Sequence, residues 1–176
     1  MSRIEKTGLP ALQLIFNFIC GPEMILIQCQ FVLTLLFTLL PLLRARSPQS
    51  LAIVRARDEC ARSGRLTAEQ RRTLDRLEYA NELWVQRYLH CFWTQLQLWE
   101  DNDGFNSMRI VQTYGGPHRF NVEQALPAIG GCNARARRTS TGNAIDWCYK
   151  AFVCILRTPV GDWYRHYMLD VINGNA

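Results

Sequence analysis

The sequence predicts a mainly helical, single-pass membrane protein with a small helical domain after the anchor, and three observations support this fold class. Residues 24–43 are uncharged and largely apolar, and a helix of that length spans about 30 Å, the thickness of a bilayer core. The stretch 67–100 contains no glycine or proline, and its apolar residues recur every three or four positions. Nearly all charged residues follow residue 43. We therefore expect a membrane-anchoring region, 1–46, and a mostly helical domain, 47–176.

The apolar run 24–43 has two alternative interpretations. A cleaved secretory signal is one, but such a signal usually ends in small residues, and this run ends in Pro41, Leu42 and Leu43 with arginines after it. A helix buried in a protein core is the other. Ahead of the run, residues 9–20 are apolar but too few to cross a bilayer, so they predict a short helix lying at the membrane interface.

Four polar residues in and before the predicted anchor share one side of a helix. Gln30, Thr34 and Thr38 recur every four residues, and Glu23 lies seven residues before Gln30. Polar side chains in lipid hydrogen-bond across helices, so this stripe predicts a surface that packs against other membrane-protein subunits.

Arginines cluster on the C-terminal side of the predicted anchor, at positions 44, 46, 55 and 57. The positive-inside rule then favours a C-terminal domain in the cytosol or the mitochondrial matrix. Arg44, Arg46, Arg55 and Arg57 also predict a site for anionic lipid such as cardiolipin, because each cation contributes about 1 kcal/mol near such a surface. The alternative is that these charges only set the orientation of the anchor.

The domain after the anchor begins with the clearest helical signal in the chain. Thr67 and Gln70 form a capping box, and the period continues to about Glu100, which predicts one long helix. Residues 101–104 (DNDG) then predict a turn. Met108–Tyr114 predicts a short strand, and the Gly/Pro-rich stretch 115–142 predicts a long irregular connection.

Two further helices are expected at the C-terminal end. Asn143 or Thr141 can cap a helix that stops before Pro159, and a last helix is predicted from Asp162 to about Ile172. This end is strongly aromatic, which core packing accounts for without a ligand. The aromatic residues are Trp147, Tyr149, Phe152, Trp163, Tyr164 and Tyr167.

The seven cysteines include no CxxC pair, and their odd number and wide spacing argue against a zinc site and a secreted disulfide framework. We expect mostly buried free thiols, with pairing among Cys132, Cys148 and Cys154 only if the domain faces an oxidising compartment. The basic segment 135–140 (RARRTS) predicts a solvated loop, since it is too small a patch for nucleic acid.

No catalytic, cofactor or metal-binding motif is present, so we expect no enzymatic site and no cofactor. An anchor with a polar packing stripe and no catalytic motif predicts an accessory subunit of a membrane complex. The preferred placement is the mitochondrial inner membrane, in a respiratory complex or the ATP synthase. Two alternatives stay open: a membrane-anchored enzyme with a site near His166 and Cys148, and a viral or bacterial protein that remodels membranes.

Overall fold

The computed structural model describes residues 47–115, 120–140 and 142–176, and these residues form seven helices and one hairpin of two short strands. In chain order the elements are α1 Pro48–Ser63, α2 Ala68–Asp75, α3 Leu83–Gln95, β1 Trp99–Glu100, β2 Gly104–Phe105, α4 Ser107–Tyr114, α5 Val122–Thr139, α6 Ala144–Ile155 and α7 Pro159–Asn173.

Helix α6 is the centre of the packing. It lies against α5, α3 and strand β2, and α1 contacts both α3 and α7. Three α6 residues, Cys148, Ala151 and Phe152, are almost fully buried. Their spacing of three and four residues puts them on one face of the helix, so burial of that face holds the other elements together.

The predicted long helix 67–100 is wrong, because it is two helices. The capping box is confirmed: Thr67 Oγ1 accepts from Gln70 N at 3.2 Å, and Gln70 Oε1 accepts from Thr67 N at 2.9 Å. Helix α2 nevertheless ends at Asp75, and Leu77 adopts a left-handed φ of 57°. The residues that follow belong to no helix or strand and carry Tyr79 inward, where its hydroxyl lies 2.8 Å from that of Tyr164. Tertiary contacts therefore outweigh local helical propensity here.

Residues 101–103 form a turn, as predicted, but the turn joins the strands of the hairpin instead of ending a helix. The Asn133 side chain of α5 holds this hairpin: its Oδ1 accepts from Phe105 N at 3.0 Å, and its Nδ2 donates to Phe105 O at 2.7 Å. Gly104 has a φ of 83°, and a Cβ there would lie 2.9 Å from Asn133 Oδ1. The hairpin thus requires glycine at 104.

The strand predicted at Met108–Tyr114 is wrong, since these residues lie in helix α4. Asn106 caps that helix, with its side chain accepting from Arg109 N at 2.9 Å. Ile110, Val111 and Tyr114 are the buried residues of α4. Their spacing is helical, and the cap together with this buried face determines the helix.

The irregular connection predicted for 115–142 is also wrong, because α5 occupies most of it. Asn121 caps the helix by accepting from Glu123 N at 2.9 Å. Its buried residues recur at helical spacing despite the exposed glycines at 130 and 131; they are Ala125, Ile129, Cys132 and Ala136. The basic segment 135–140 is consequently not a loop, and residues up to Thr139 belong to the last turn of α5.

The two C-terminal helices are confirmed. Asn143 caps α6, and its side chain accepts from Ile145 N at 2.9 Å. Helix α7 begins at Pro159, three residues before the predicted start, because proline fits the first helical turn. It ends at Gly174, whose left-handed φ of 76° is a common helix terminator.

Four of the five described cysteines form disulfides, so the expectation of mostly free thiols is wrong. Cys60–Cys91 joins α1 to α3, and Cys132–Cys154 joins α5 to α6. Cys148 is free and buried. The error came from placing the domain in a reducing compartment, since disulfides persist in oxidising ones.

The predicted fold class, an anchored domain with one long helix and an irregular connection, does not describe this structure. Within the described ranges, no helix is both long enough and apolar enough to cross a membrane. The predicted anchor 24–43 and interfacial segment 9–20 lie outside the described residues, as do Glu23, Gln30, Thr34, Thr38, Arg44 and Arg46. The boundary between 1–46 and 47–176 stays a prediction.

Candidate functional site

An internal cavity of about 50 Å³ lies between the helices and is the candidate functional site. All but one of the described helices, together with the hairpin, contribute to its lining. The sixteen lining residues are Ile53, Phe92, Trp93, Leu96, Leu98, Phe105, Ile110, Tyr114, Ile129, Phe152, Ile155, Val160, Trp163, Tyr164, Tyr167 and Met168. Every one of them is aliphatic, aromatic or methionine, so the lining offers dispersion contacts and almost no polar surface.

Helix α7 supplies the largest share of the lining. Its five residues are separated by three, one, three and one positions, which puts them on one face: Val160, Trp163, Tyr164, Tyr167 and Met168. Aromatic rings of this face pack against one another and against a ring of α6. Trp163 and Tyr167 stack with ring centroids 5.0 Å apart, and Tyr164 meets Phe152 of α6 edge to face at 5.3 Å. Such pairs add stability beyond their buried area.

The two disulfides connect helices that line the cavity. Cys60–Cys91 joins α1 to α3, which carry Ile53 and Phe92, and Cys132–Cys154 joins α5 to α6. Each crosslink limits how far its two helices can separate. Four of the helices that line the cavity are therefore linked covalently in two pairs, whereas α4 and α7 are held by packing alone.

The lining is uncharged at physiological pH. Tyrosine is its only ordinarily titratable residue type, and burial raises the pKa of Tyr164 well above its usual value. Burial likewise raises the pKa of Tyr79, the hydrogen-bond partner of Tyr164, to about 12. Both phenols stay protonated, so the cavity contains no formal charge to balance an ionic ligand.

A surface groove lies against one side of the cavity. Leu96, Leu98 and Tyr114 line both spaces, and the outer side of the groove carries charged residues of α1 and α4, including Arg55 and Arg109. These three shared residues are thus the barrier between the cavity and the groove. A ligand that entered from the groove would have to displace them.

Of the four arginines predicted to hold lipid, the structure describes two, and both lie on α1. Arg55 is exposed and borders the groove. Arg57 forms an ion pair with Asp75. The structure gives them different environments, so it does not assemble these two side chains into one site.

The alternative enzymatic site near His166 and Cys148 is not assembled. Cys148 is fully buried and burial raises its pKa well above that of an ordinary thiol, whereas His166 is exposed on α7. A thiol in that environment is a poor nucleophile, because the reactive form is the thiolate. Among the described residues, no three His, Cys, Asp or Glu side chains are placed to hold a metal ion.

The aromatic C-terminal end takes part in core packing, as predicted: Phe152 and Tyr164 are buried in the core, and Trp163 and Tyr167 pack against it. The same four side chains also line the cavity, which the sequence did not indicate. The remaining lining residues carry no motif, since apolar residues of a cavity and of a filled core follow the same periodicity.

Cavities lined mainly by aliphatic and aromatic side chains are common sites for small ligands in proteins. Residues 45–158 match the model of the PBP/GOBP family. That match covers more than half of the chain, and the chain belongs to this family. General odorant-binding protein 99a of Drosophila melanogaster is 28% identical over 101 residues, which cover 57% of this chain and 70% of that protein.

The family match overturns the predicted membrane-complex subunit. The predictions of a mitochondrial inner-membrane location, of respiratory-chain or ATP synthase function, and of membrane-protein subunits and anionic lipid as partners are wrong. They all followed from taking residues 24–43 as an anchor. The cavity lining carries no sequence motif, so the apolar run 24–43 was the strongest signal in the sequence.

Proposed function

We propose that this protein is a non-catalytic carrier that binds small, mainly apolar, uncharged molecules in the cavity. The observation that supports this most strongly is the cavity itself, whose sixteen lining residues include no charged side chain. Each Å² of apolar ligand surface removed from water contributes about 25 cal/mol, so an apolar lining provides affinity without specific polar contacts.

The cavity of about 50 Å³ must enlarge to accept a ligand of this class. For comparison, an engineered apolar cavity that holds benzene has a volume of about 150 Å³. Three lining residues are only half-buried and can move with least loss of packing: Leu96, Trp163 and Tyr167. Met168 adds a flexible, unbranched side chain that adapts to ligand shape.

The relative from Drosophila melanogaster is named as an odorant-binding protein, which supports volatile organic molecules as the ligand class. The two disulfides support a role in an oxidising, extracellular fluid. A secretory signal, one of the interpretations of the apolar run 24–43, accords with that location.

Displacement of a fluorescent apolar dye by medium-chain ketones or esters tests the proposal on the oxidised full chain. Ile110→Phe places a larger side chain on the cavity lining. We expect it to weaken ligand binding about tenfold, because a pocket discriminates roughly 10- to 200-fold for each methylene of misfit. The measurement is the dissociation constant of the dye and of each competitor.

Ile145→Phe is the matched control, because Ile145 is half-buried on α6 and lies outside the cavity lining. It should leave the dissociation constants unchanged, and thermal unfolding of both variants reports whether they are folded. Equal binding by the wild type and a folded Ile110→Phe variant would place the ligand elsewhere and refute the proposal.

A further inference from the structure

Trp93 is a buried indole whose N–H has no partner. Its side chain lies on α3, lines the cavity and is only 8% exposed. Four aromatic rings surround it with centroids 4.8 to 5.8 Å away; they belong to Phe92, Phe105, Phe152 and Tyr164. Among the described residues, nothing accepts a hydrogen bond from Trp93 Nε1.

The other two buried indoles of the described chain do have partners. Trp99 Nε1 donates to Asp101 Oδ1 at 2.8 Å, and Trp147 Nε1 donates to the main-chain oxygen of Asn133 at 3.1 Å. Asp146 Oδ2 also lacks a well-aligned hydrogen bond, but Lys150 Nζ lies 2.7 Å from it. Within the described ranges, Trp93 Nε1 is thus the one buried side-chain polar atom that has neither a hydrogen-bond partner nor an ion-pair partner.

A buried N–H without an acceptor is destabilising by about 1–3 kcal/mol. Such groups are rare in folded proteins, and each needs an explanation. The nearest neighbours of Trp93 are hydrocarbon rings, and the hydroxyl of Tyr164 is already within 2.8 Å of that of Tyr79. The described residues supply no acceptor for this donor, and a molecule that enters the cavity can supply one.

We propose that Trp93 Nε1 is the hydrogen-bond donor for the ligand, so that the cavity selects apolar molecules carrying one uncharged oxygen acceptor, such as a ketone, aldehyde or ester. This inference rests on the proposed function. The apolar remainder of the lining takes the hydrocarbon part, and the oxygen pairs with the one unpartnered donor. An ion is excluded, because no lining residue carries a formal charge to balance it.

A pair of ligands of the same shape separates the hydrogen bond from apolar burial. The probes are 2-undecanone and 2-methyl-1-undecene, in which a terminal =CH₂ group replaces the carbonyl oxygen. Their dissociation constants are measured on the oxidised full chain for the wild type, Trp93→Phe and Trp163→Phe. Trp163 is the matched control, since it also lines the cavity but is half-buried and reaches the surface.

We expect the preference for ketone over alkene to fall about tenfold in Trp93→Phe, the effect of losing one hydrogen bond to a buried donor. It should stay unchanged in Trp163→Phe. Comparing this ratio between the wild type and each variant cancels the different hydration of the two ligands, because the free ligands are the same in both. An unchanged ratio in Trp93→Phe, with both ligands bound, overturns this inference and leaves the proposed function standing; no binding of either ligand to the wild type overturns both.

A second measurement on the wild type covers the case in which Trp93→Phe does not fold. The indole N–H proton resonance of Trp93 should lie further downfield in the ketone complex than in the alkene complex, because only the ketone accepts a hydrogen bond. Identical resonance positions in the two complexes would overturn the inference.

Discussion

Removing the disulfide Cys60–Cys91 is expected to lower the free energy of unfolding by about 4 kcal/mol, and removing Cys132–Cys154 by about 3 kcal/mol. The reason is the length of chain that each crosslink closes in the unfolded state, with sequence separations of 31 and 22 residues. Small domains have about 5–15 kcal/mol of stability in total, so each disulfide contributes a large share of it.

Urea unfolding of two double variants measures these effects: Cys60→Ser with Cys91→Ser, and Cys132→Ser with Cys154→Ser. Cys148→Ala is the control, because Cys148 is a free, buried thiol that closes no loop. It should lose only the packing of one sulfur atom, and its unfolding should respond to reducing agent as the wild type does. Double variants with the wild-type unfolding midpoint would contradict the role given to the crosslinks.

Alanine at Gly161 is expected to destabilise the protein by about 3 kcal/mol, at the upper end for overpacking a core. Gly161 is buried in the first turn of α7, and a Cβ there would lie 2.3 Å from the main-chain oxygen of Leu156 at the end of α6. Main-chain atoms cannot move aside as a side-chain tip can. The clash would therefore push the start of α7 away from the end of α6, and both helices line the cavity.

The same substitution at Gly130 has the opposite expected sign. Gly130 lies in α5, and apart from the backbone of that helix and its chain neighbours no atom is within 4 Å of the position a Cβ would take. Alanine there should stabilise the protein by about 0.5–1 kcal/mol through its higher helix propensity. Chemical unfolding of both variants gives the comparison, and a Gly161→Ala variant as stable as Gly130→Ala would refute the proposed close contact between α6 and α7.

Helix boundaries marked by local capping could be predicted from the sequence. The start of α2 is capped by Thr67 with Gln70, the start of α6 is capped by Asn143, and α7 ends at Gly174. Such caps can be read from the sequence because they depend on residues only a few positions apart. Helix α5 carried the same kind of signal in Asn121 and in the buried residues 125, 129, 132 and 136. Its glycines and its proline at position 127 hid that pattern.

The break at Leu77 could not be predicted in this way. Its left-handed φ of 57° is unfavourable for a leucine, and no glycine or proline marks the position. The break exists because Tyr79 reaches Tyr164, 85 residues later in the chain, and Tyr149 Oη donates to the main-chain oxygen of Tyr79 at 3.1 Å. Contacts of that sequence separation leave no local pattern.

The cavity and the disulfides were also beyond sequence reasoning, for related reasons. Apolar residues at helical spacing predict burial, and whether they fill a core or surround a cavity depends on side-chain packing in three dimensions. Cysteine pairing depends on which helices become neighbours, and the sequence alone does not determine it. Pairing was expected only in an oxidising compartment and only among Cys132, Cys148 and Cys154, which include one of the two observed disulfides, Cys132–Cys154.

The location of a bound ligand tests the central claim most directly. With 2-undecanone bound to the oxidised full chain, intermolecular NOEs should connect the hydrocarbon chain to the methyl groups of Ile129 and Met168, which are buried in the cavity lining. Met108 provides the internal control, because it is 54% exposed and lies outside the lining. We predict one ligand per chain, with NOEs to Ile129 and Met168 and none to Met108. NOEs to Met108 without any to Ile129 or Met168 would place the ligand on the surface and contradict the account.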